Sequence, residues 1–226
     1  MLIHVLRNVG YNPVPEQAVF EFERCKREDV DIDGWYNPDE RKVYICEPLI
    51  IETVEKTVSN IIPGPKLEMY FIYRERVRLH EHIHAYIHQR TGDFWYRKCG
   101  EISDRIKRDI EEPITEFLSY CVIKNYLGKD LCYGKKFLKL FEELPRIRPY
   151  DQWKDILSMC IKIAPNQDVK IDDLCKQIEK DDNLLKIIFR IFIDIIRTKP
   201  KSLNVVKDRL KKYYPRSILI WSLEKV

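Results

Sequence analysis

The sequence predicts an α+β protein, with a small mixed sheet packed on one long helix and an all-helical extension behind it. Three observations carry that prediction. Residues 41–46, Arg-Lys-Val-Tyr-Ile-Cys, alternate as a half-buried strand does, with Val43 and Ile45 on one face. Residues 67–90 contain neither Pro nor Gly and repeat their apolar side chains at helical spacing. From residue 129 onward the pattern is helical, punctuated by Pro145, Pro149, Pro165 and Pro200. With 226 residues and no flexible linker, the chain divides into residues 1–128 and a helical extension, 129–226, packed on them.

Taken in order, residues 2–6 form a short apolar run that reads as a strand, followed by a turn over 10–15 with Gly10 and Pro15. Residues 16–28 read as a helix with Val19, Phe22 and Cys25 on its buried side. Residues 31–47 read as a hairpin: Trp35-Tyr36 leads into the turn Asn37-Pro-Asp-Glu40, and residues 41–46 return. Residues 48–62 are a helix with Ile51, Val54 and Val58 along one side, and Pro63-Gly64-Pro65 breaks it.

The long helix over 67–90 follows, stopped by Thr91-Gly92. At about 100° per residue, Ile72, Leu79, Ile83 and Tyr86 form one apolar stripe, while Val77, His80, Glu81, His84 and His88 share another sector. Residues 93–100 read as a loop with Phe94, Trp95 and Tyr96 packed on the core. In residues 101–126, Ile102, Ile106 and Ile110 and then Ile114, Phe117, Leu118 and Cys121 keep helical spacing. Pro113 between them marks either a kink or a new helix starting near Glu111 or Glu112, and Gly128 ends the stretch. Helices are expected over 135–144, 151–163, 170–180, 182–197 and 202–213, and a closing strand over 217–223.

Composition bounds the class. The chain is 45% hydrophobic and 34% charged, as a soluble globular protein is. The longest apolar run, residues 184–196, is broken by Lys186, Arg190 and Asp194 and falls short of the roughly 20 residues of a membrane span, so it reads as a buried helix. The first residues lack the charged-then-apolar order of a signal peptide. Seven scattered cysteines with no C-x-x-C pair argue against a zinc ribbon and a disulfide scaffold, and imply buried or reduced thiols in a cytoplasmic protein. The richness in Ile, Lys, Arg and Tyr is that of proteins from hot environments. The net charge of +4 splits unevenly: residues 1–128 carry 18 Lys/Arg against 22 Asp/Glu, or −4, and residues 129–226 carry 22 against 14, or +8.

The chemistry concentrates in residues 78–88, which hold four of the five histidines. His80-Glu81-His82-Ile83-His84 is an H-E-x-x-H pattern, which on a helix puts His80 and His84 one turn apart on one face with Glu81 beside them as a base. His82 points away from that face. His88 lies one turn beyond the pair and reads as a cleft-wall or surface residue rather than a ligand. A catalytic zinc site uses three protein ligands and a water. The pattern H-E-x-x-H-x-x-G-x-x-H would require Gly at 87 and His at 90, where the chain has Ile87 and Arg90. No histidine follows His88 and only His4 precedes the helix, so the third ligand is expected to be a carboxylate from elsewhere in the chain.

His80-Glu81-His82-Ile83-His84 followed by Glu111-Glu-Pro-Ile-Thr-Glu116 resembles the gluzincin metallopeptidases, in which a downstream helix supplies a glutamate in an E-x-x-x-D motif. Here Glu112-Pro-Ile-Thr-Glu116 has Glu in the place of Asp. The resemblance covers roughly residues 30–128 and is closest in size to the minigluzincins. It implies a zincin-like metallopeptidase domain with one Zn²⁺ per chain held by His80, His84 and Glu112. It implies Glu116 as the group that hydrogen-bonds a ligating histidine. Glu111, with Thr115 one turn on, is the alternative ligand, and Glu101 and Glu116 rank behind both. Glu81 is then the general base for a metal-activated water, and the substrate is a peptide or protein. Strand 41–46 is the kind that borders a peptidase cleft and holds an extended peptide by backbone hydrogen bonds. Two other readings are carried: a silent or latent zincin-fold protein whose residues 217–223 lie along the cleft, and a nucleic-acid-associated module using the basic second half. No membrane partner is expected, and the sequence leaves the oligomeric state open.

Overall fold

Without Pro or Gly to interrupt them, residues 66–91 form one helix of 26 residues, α4 (Lys66–Thr91). Extended Pro65 starts it, and Gly92 ends it at φ 72°, donating its N–H to the carbonyl of His88 at 2.8 Å. A side chain at that φ is disfavoured, which is why glycine makes the stop. The computed structural model describes residues 2–27, 30–61, 64–92, 104–127, 182–198, 200–202, 204–206 and 208–209, and arranges them as a mixed α+β fold around this helix.

Ahead of α4 come α1 (Ile3–Arg7), β1 (Glu16–Val19), a 3-10 turn (Phe22–Cys25), β2 (Lys26–Arg27), β3 (Val30–Asp31), β4 (Gly34–Asn37) and β5 (Lys42–Cys46). Helix α2 (Glu47–Thr53) continues through a π turn (Val54–Val58) into α3 (Ser59–Ile61). The main sheet has the order β1-β5-β4, with β1 parallel and β4 antiparallel to β5. Strands β2 and β3 make a separate antiparallel ribbon. The β4–β5 turn is built by Asn37, whose side-chain oxygen accepts the N–H groups of Asp39 at 3.0 Å and Glu40 at 3.3 Å, and Arg41 takes φ 51° to close it.

The strand period sorts side chains to two faces. Val43 and Ile45 of β5 and Tyr36 of β4 face α4 and join a core with Ile72, Leu79, Ile83 and Tyr86. Tyr44 and Cys46 face the other way, with Val19, Cys25 and Leu49, and Trp35 stacks on Tyr44 with ring centroids 4.8 Å apart. After α4, helix α5 (Asp104–Leu127) runs unbroken through Pro113 and buries Ile110, Ile114, Phe117 and Leu118. Helix α6 (Asp182–Arg197) buries Phe189 against Tyr86 and Phe192 against Phe117, at centroid distances of 5.3 and 5.1 Å. Arg197 donates to the carbonyl of Arg90, the next-to-last residue of α4.

Three sequence expectations are corrected. Residues 2–6 are not a strand: Leu2, Ile3 and Leu6 are buried by a short helical turn, a spacing that so brief an apolar run cannot distinguish from a strand. Residues 16–28 are not a helix. Val19, Phe22 and Cys25 have helical spacing, but Glu16–Val19 pairs in parallel with β5, and tertiary pairing overrides the local pattern. The cysteines are not all reduced: the 3-10 turn returns Cys25 to the end of β5, where it forms a disulfide with Cys46 at a Cα separation of 5.8 Å. The cytoplasmic expectation rested on reduced thiols, and this bridge removes that ground. Among the described residues no helix is long and apolar enough to cross a membrane. The aromatics of 93–100, the helices expected over 135–144, 151–163 and 170–180, and the strand over 217–223 lie outside the described residues. Of the helix expected over 202–213, residues 204–206 and 208–209 are helical.

Candidate metal centre

Two helices facing each other build the site. On α4 the four-residue row Arg76, His80, His84 and His88 lies along one side. On α5, Glu116, Glu112 and Glu111 oppose it in reverse order. Arg76 bonds Glu116 at 3.0 Å, Nε2 of His80 lies 3.1 Å from Glu112, and Nδ1 of His84 lies 2.6 Å from Glu111. The two helices thus run antiparallel, with a row of bases against a row of acids.

Both Nε2 atoms turn to one point. They are 3.0 Å apart, and the two oxygens of Glu112 lie 3.1 Å from that of His80 and 3.3 Å from that of His84. One donor atom from each of His80, His84 and Glu112 lies within 4.8 Å of the others, a grouping that could hold a metal ion. The Nδ1 atoms turn outward to the remaining carboxylates, His80 to Glu116 at 3.0 Å and His84 to Glu111 at 2.6 Å. The hydrogen bond from Glu111 fixes which nitrogen of the His84 ring points inward.

The geometry separates the two glutamates that the sequence leaves open. Glu112 reaches the shared point, and Glu111 meets the far side of His84. Thr115, which the Glu111 register would place on a histidine, is buried with its hydroxyl unpartnered among the described residues; Glu116 of the Glu112 register lies 3.0 Å from Nδ1 of His80, close enough for an ion pair but outside hydrogen-bond geometry. His82 is buried on the other side, with Nδ1 2.5 Å from the hydroxyl of Tyr11, and stands outside the cluster as expected. His88 is also outside it, but it is buried against Tyr36 rather than on the surface. Glu101 lies outside the described residues.

Charge follows from this packing. Burial opposes protonation of His80, but the charge of Glu116 and the hydrogen bond to Glu112 outweigh it and lift its pKa to about 9. His84 is raised well above its usual value against the same burial, by Glu112 and Glu111. Glu112 is held well below the usual carboxylate range, burial being overcome by His84 and His80. Arg76 and His80 likewise hold Glu116 down despite its burial. Glu81 moves the other way: burial raises it, only partly offset by the two histidines. Glu112 keeps 33% of its side-chain surface exposed while Glu111 and Glu116 keep 3% and 4%, so the cluster opens to solvent on the Glu112 side.

No family model, no curated protein and no solved structure matches this chain.

The sequence reading missed Arg76, Gly34 and Tyr36. Arg76 was detectable, because it begins the four-residue row that His80 and His84 continue. Gly34 carries no local signal: it matters because β4 crosses α4 so closely that a Cβ there would stand 2.7 Å from Val77 and 3.3 Å from the Cγ of Glu81. Tyr36, two residues on, meets His88 through its hydroxyl.

Proposed function

We propose that this chain is a zinc-dependent peptidase of zincin-like fold, with His80, His84 and Glu112 as metal ligands and a peptide or protein as substrate. The observation that carries the reading is the convergence of both Nε2 atoms and the Glu112 carboxylate, with Nδ1 of His84 hydrogen-bonded from behind by Glu111 and Glu116 3.0 Å behind Nδ1 of His80. Two imidazoles and one carboxylate are a donor set that suits zinc, and three protein ligands with an open side distinguish a catalytic site from a closed structural one.

Charge balance supports a divalent ion. The formal charges of Glu81, Glu111, Glu112 and Glu116 sum to −4, and Arg76 adds +1, leaving −3 in a largely buried cluster. Protons on His80 and His84, or one Zn²⁺ with neutral imidazoles, supply two positive charges and leave the one negative charge that a carboxylate base carries.

When bound, zinc supplies Lewis acidity and lowers the pKa of an attached water to roughly 7. The protein's own groups do the rest. Glu81 takes the proton of the attacking water at its carboxylate, and returns it to the amine that leaves when the peptide C–N bond breaks. Glu111 keeps the His84 imidazole in the tautomer that turns Nε2 inward, and the Glu116 carboxylate stands 3.0 Å behind Nδ1 of His80. Glu81→Gln tests the role of the base. The variant should keep its zinc and lose hydrolysis of a peptide library by on the order of 10²- to 10⁴-fold. Wild-type turnover in that variant would refute the mechanism.

A further inference from the structure

Arg76 opens the row on α4 that His80 and His84 continue, and the ligand set leaves it without a task. It is buried one turn before His80, and its Nη2 donates to Oε1 of Glu116 at 3.0 Å. The same Oε1 stands 3.0 Å from Nδ1 of His80, near enough for a charge contact though not aligned as a hydrogen bond. One carboxylate oxygen thus faces both a guanidinium and a ring nitrogen. Its twin, Oε2, is buried with no hydrogen-bond partner among the described residues, and so is Nδ1 of His80. Among those residues the Arg76 hydrogen bond is what fixes the rotation of the Glu116 carboxylate about its last torsion, which is intrinsically loose. An imidazole that turns Nε2 to a metal carries its proton on Nδ1, and a buried N–H without an acceptor is costly. The oxygen within reach of that proton is the one Arg76 holds.

We infer that Arg76 is a positioning residue: by holding Oε1 of Glu116 behind Nδ1 of His80, it orients the His80 ring for the metal. The ligand role of His80 rests on the peptidase reading, but the contacts among the three residues do not. A guanidinium also carries a positive charge that repels a metal ion, so its two effects on zinc have opposite signs. As a positioning residue Arg76 strengthens zinc binding, whereas as a bare charge it would weaken it. A buried ion pair kept only for folding would leave zinc affinity where it is.

The test measures zinc affinity of the full chain by competition with a chelating indicator, and follows the His80 ring nitrogens by NMR with and without zinc. Arg76→Met removes the donor, Arg76→Lys keeps a charged donor, and Glu116→Gln removes the negative charge that both partners face. Arg76→Met and Glu116→Gln should each bind zinc about 10- to 100-fold more weakly and shift the Nδ1 resonance of His80. The contact is one hydrogen bond from one nitrogen, which a lysine ammonium also makes, so Arg76→Lys should stay within about threefold of wild type. Adding Arg76→Met to Glu116→Gln should cost less than about threefold more, because Arg76 acts through Glu116. Affinity unchanged or tighter in Arg76→Met, a further loss of about tenfold in the double variant, or Arg76→Lys folded yet no better than Arg76→Met would overturn the inference. If Arg76→Met does not fold, the loss in Glu116→Gln and its size in the double variant, which leaves neither charge of the pair unpaired, decide instead. If the wild type binds no zinc, the peptidase reading fails by itself. The His80 resonance of the metal-free chain then decides alone, and a signal unmoved in Arg76→Met would mean that Arg76 does not position the ring.

Discussion

Glu111 and Glu112 are chemically identical neighbours with different surroundings. A step of about 100° around α5 sends one carboxylate to the shared point between the imidazoles and the other to the outer nitrogen of His84. The two should therefore fail differently. Glu111→Ala removes a partner of the ring rather than a donor at the shared point, so it should keep zinc with an affinity lower by about 10- to 100-fold, measured by competition with a chelating indicator. Complete loss of zinc in that variant would make Glu111 a ligand. Much of this residue-level picture is legible in the sequence: the spacing of His80 and His84, and of Glu112 and Glu116, already places each pair on one helix face. The choice between Glu111 and Glu112 is not legible, because it depends on which side of α5 docks against α4.

At the scale of elements, β4 crosses α4 closely beside Glu81. Gly34 makes that crossing possible, since a Cβ there would meet Val77 at 2.7 Å and the Tyr44 carbonyl at 3.0 Å as well as Glu81. Neither a β-branched side chain nor backbone yields easily. Gly34→Ala should cost about 2 kcal/mol through overpacking, a fall of roughly 4–8 °C in Tm, read by thermal unfolding. An unchanged Tm would mean that the crossing is looser than described. The long elements and the hairpin were legible because many periodic residues vote together: the helix expected over 67–90 is Lys66–Thr91, and the strand over 41–46 is Lys42–Cys46. Of the two outcomes expected at Pro113, a kink or a new helix, the new helix start does not occur, and α5 continues through it. Short segments failed because their partners are distant in sequence. Residues 16–19 become a strand only when β5 is beside them, and 2–6 become helical where Leu2 and Leu6 reach the core.

Across the whole molecule, the N-terminal segment is tied to α4 by charge. Glu16 of β1 lies 2.7 Å from Arg78, 3.5 Å from Arg74 and 3.4 Å from His82. Burial alone would raise its pKa, but the hydrogen bonds and charges of His82 and Arg78 hold it down to about 2, against 4.5 for an ordinary glutamate. A depressed carboxylate stabilises the fold fully above its unfolded value and loses that contribution as pH falls through its folded one. Stability should therefore drop between pH 4.5 and about 2, and Glu16→Gln should flatten that part of the profile in acid titrations followed by circular dichroism. A profile that is the same in the variant would contradict the assignment. The disulfide belongs to this scale too: Cys25 and Cys46 are 21 residues apart, and only the path of the chain through β1 and the 3-10 turn brings them together, so no spacing rule could find them. Helix α6 was legible from its amphipathic pattern, but its contacts with Tyr86 and Phe117 were not, since periodicity gives a buried face without naming what covers it.

The most direct test of the central claim is metal content by elemental mass spectrometry on the wild-type chain and on Glu112→Ala. The account predicts about one zinc per chain in the wild type and none in the variant. No zinc in the wild type, even after zinc is offered at neutral pH, would contradict it and leave the two histidines and their carboxylates as a buried ion-pair network.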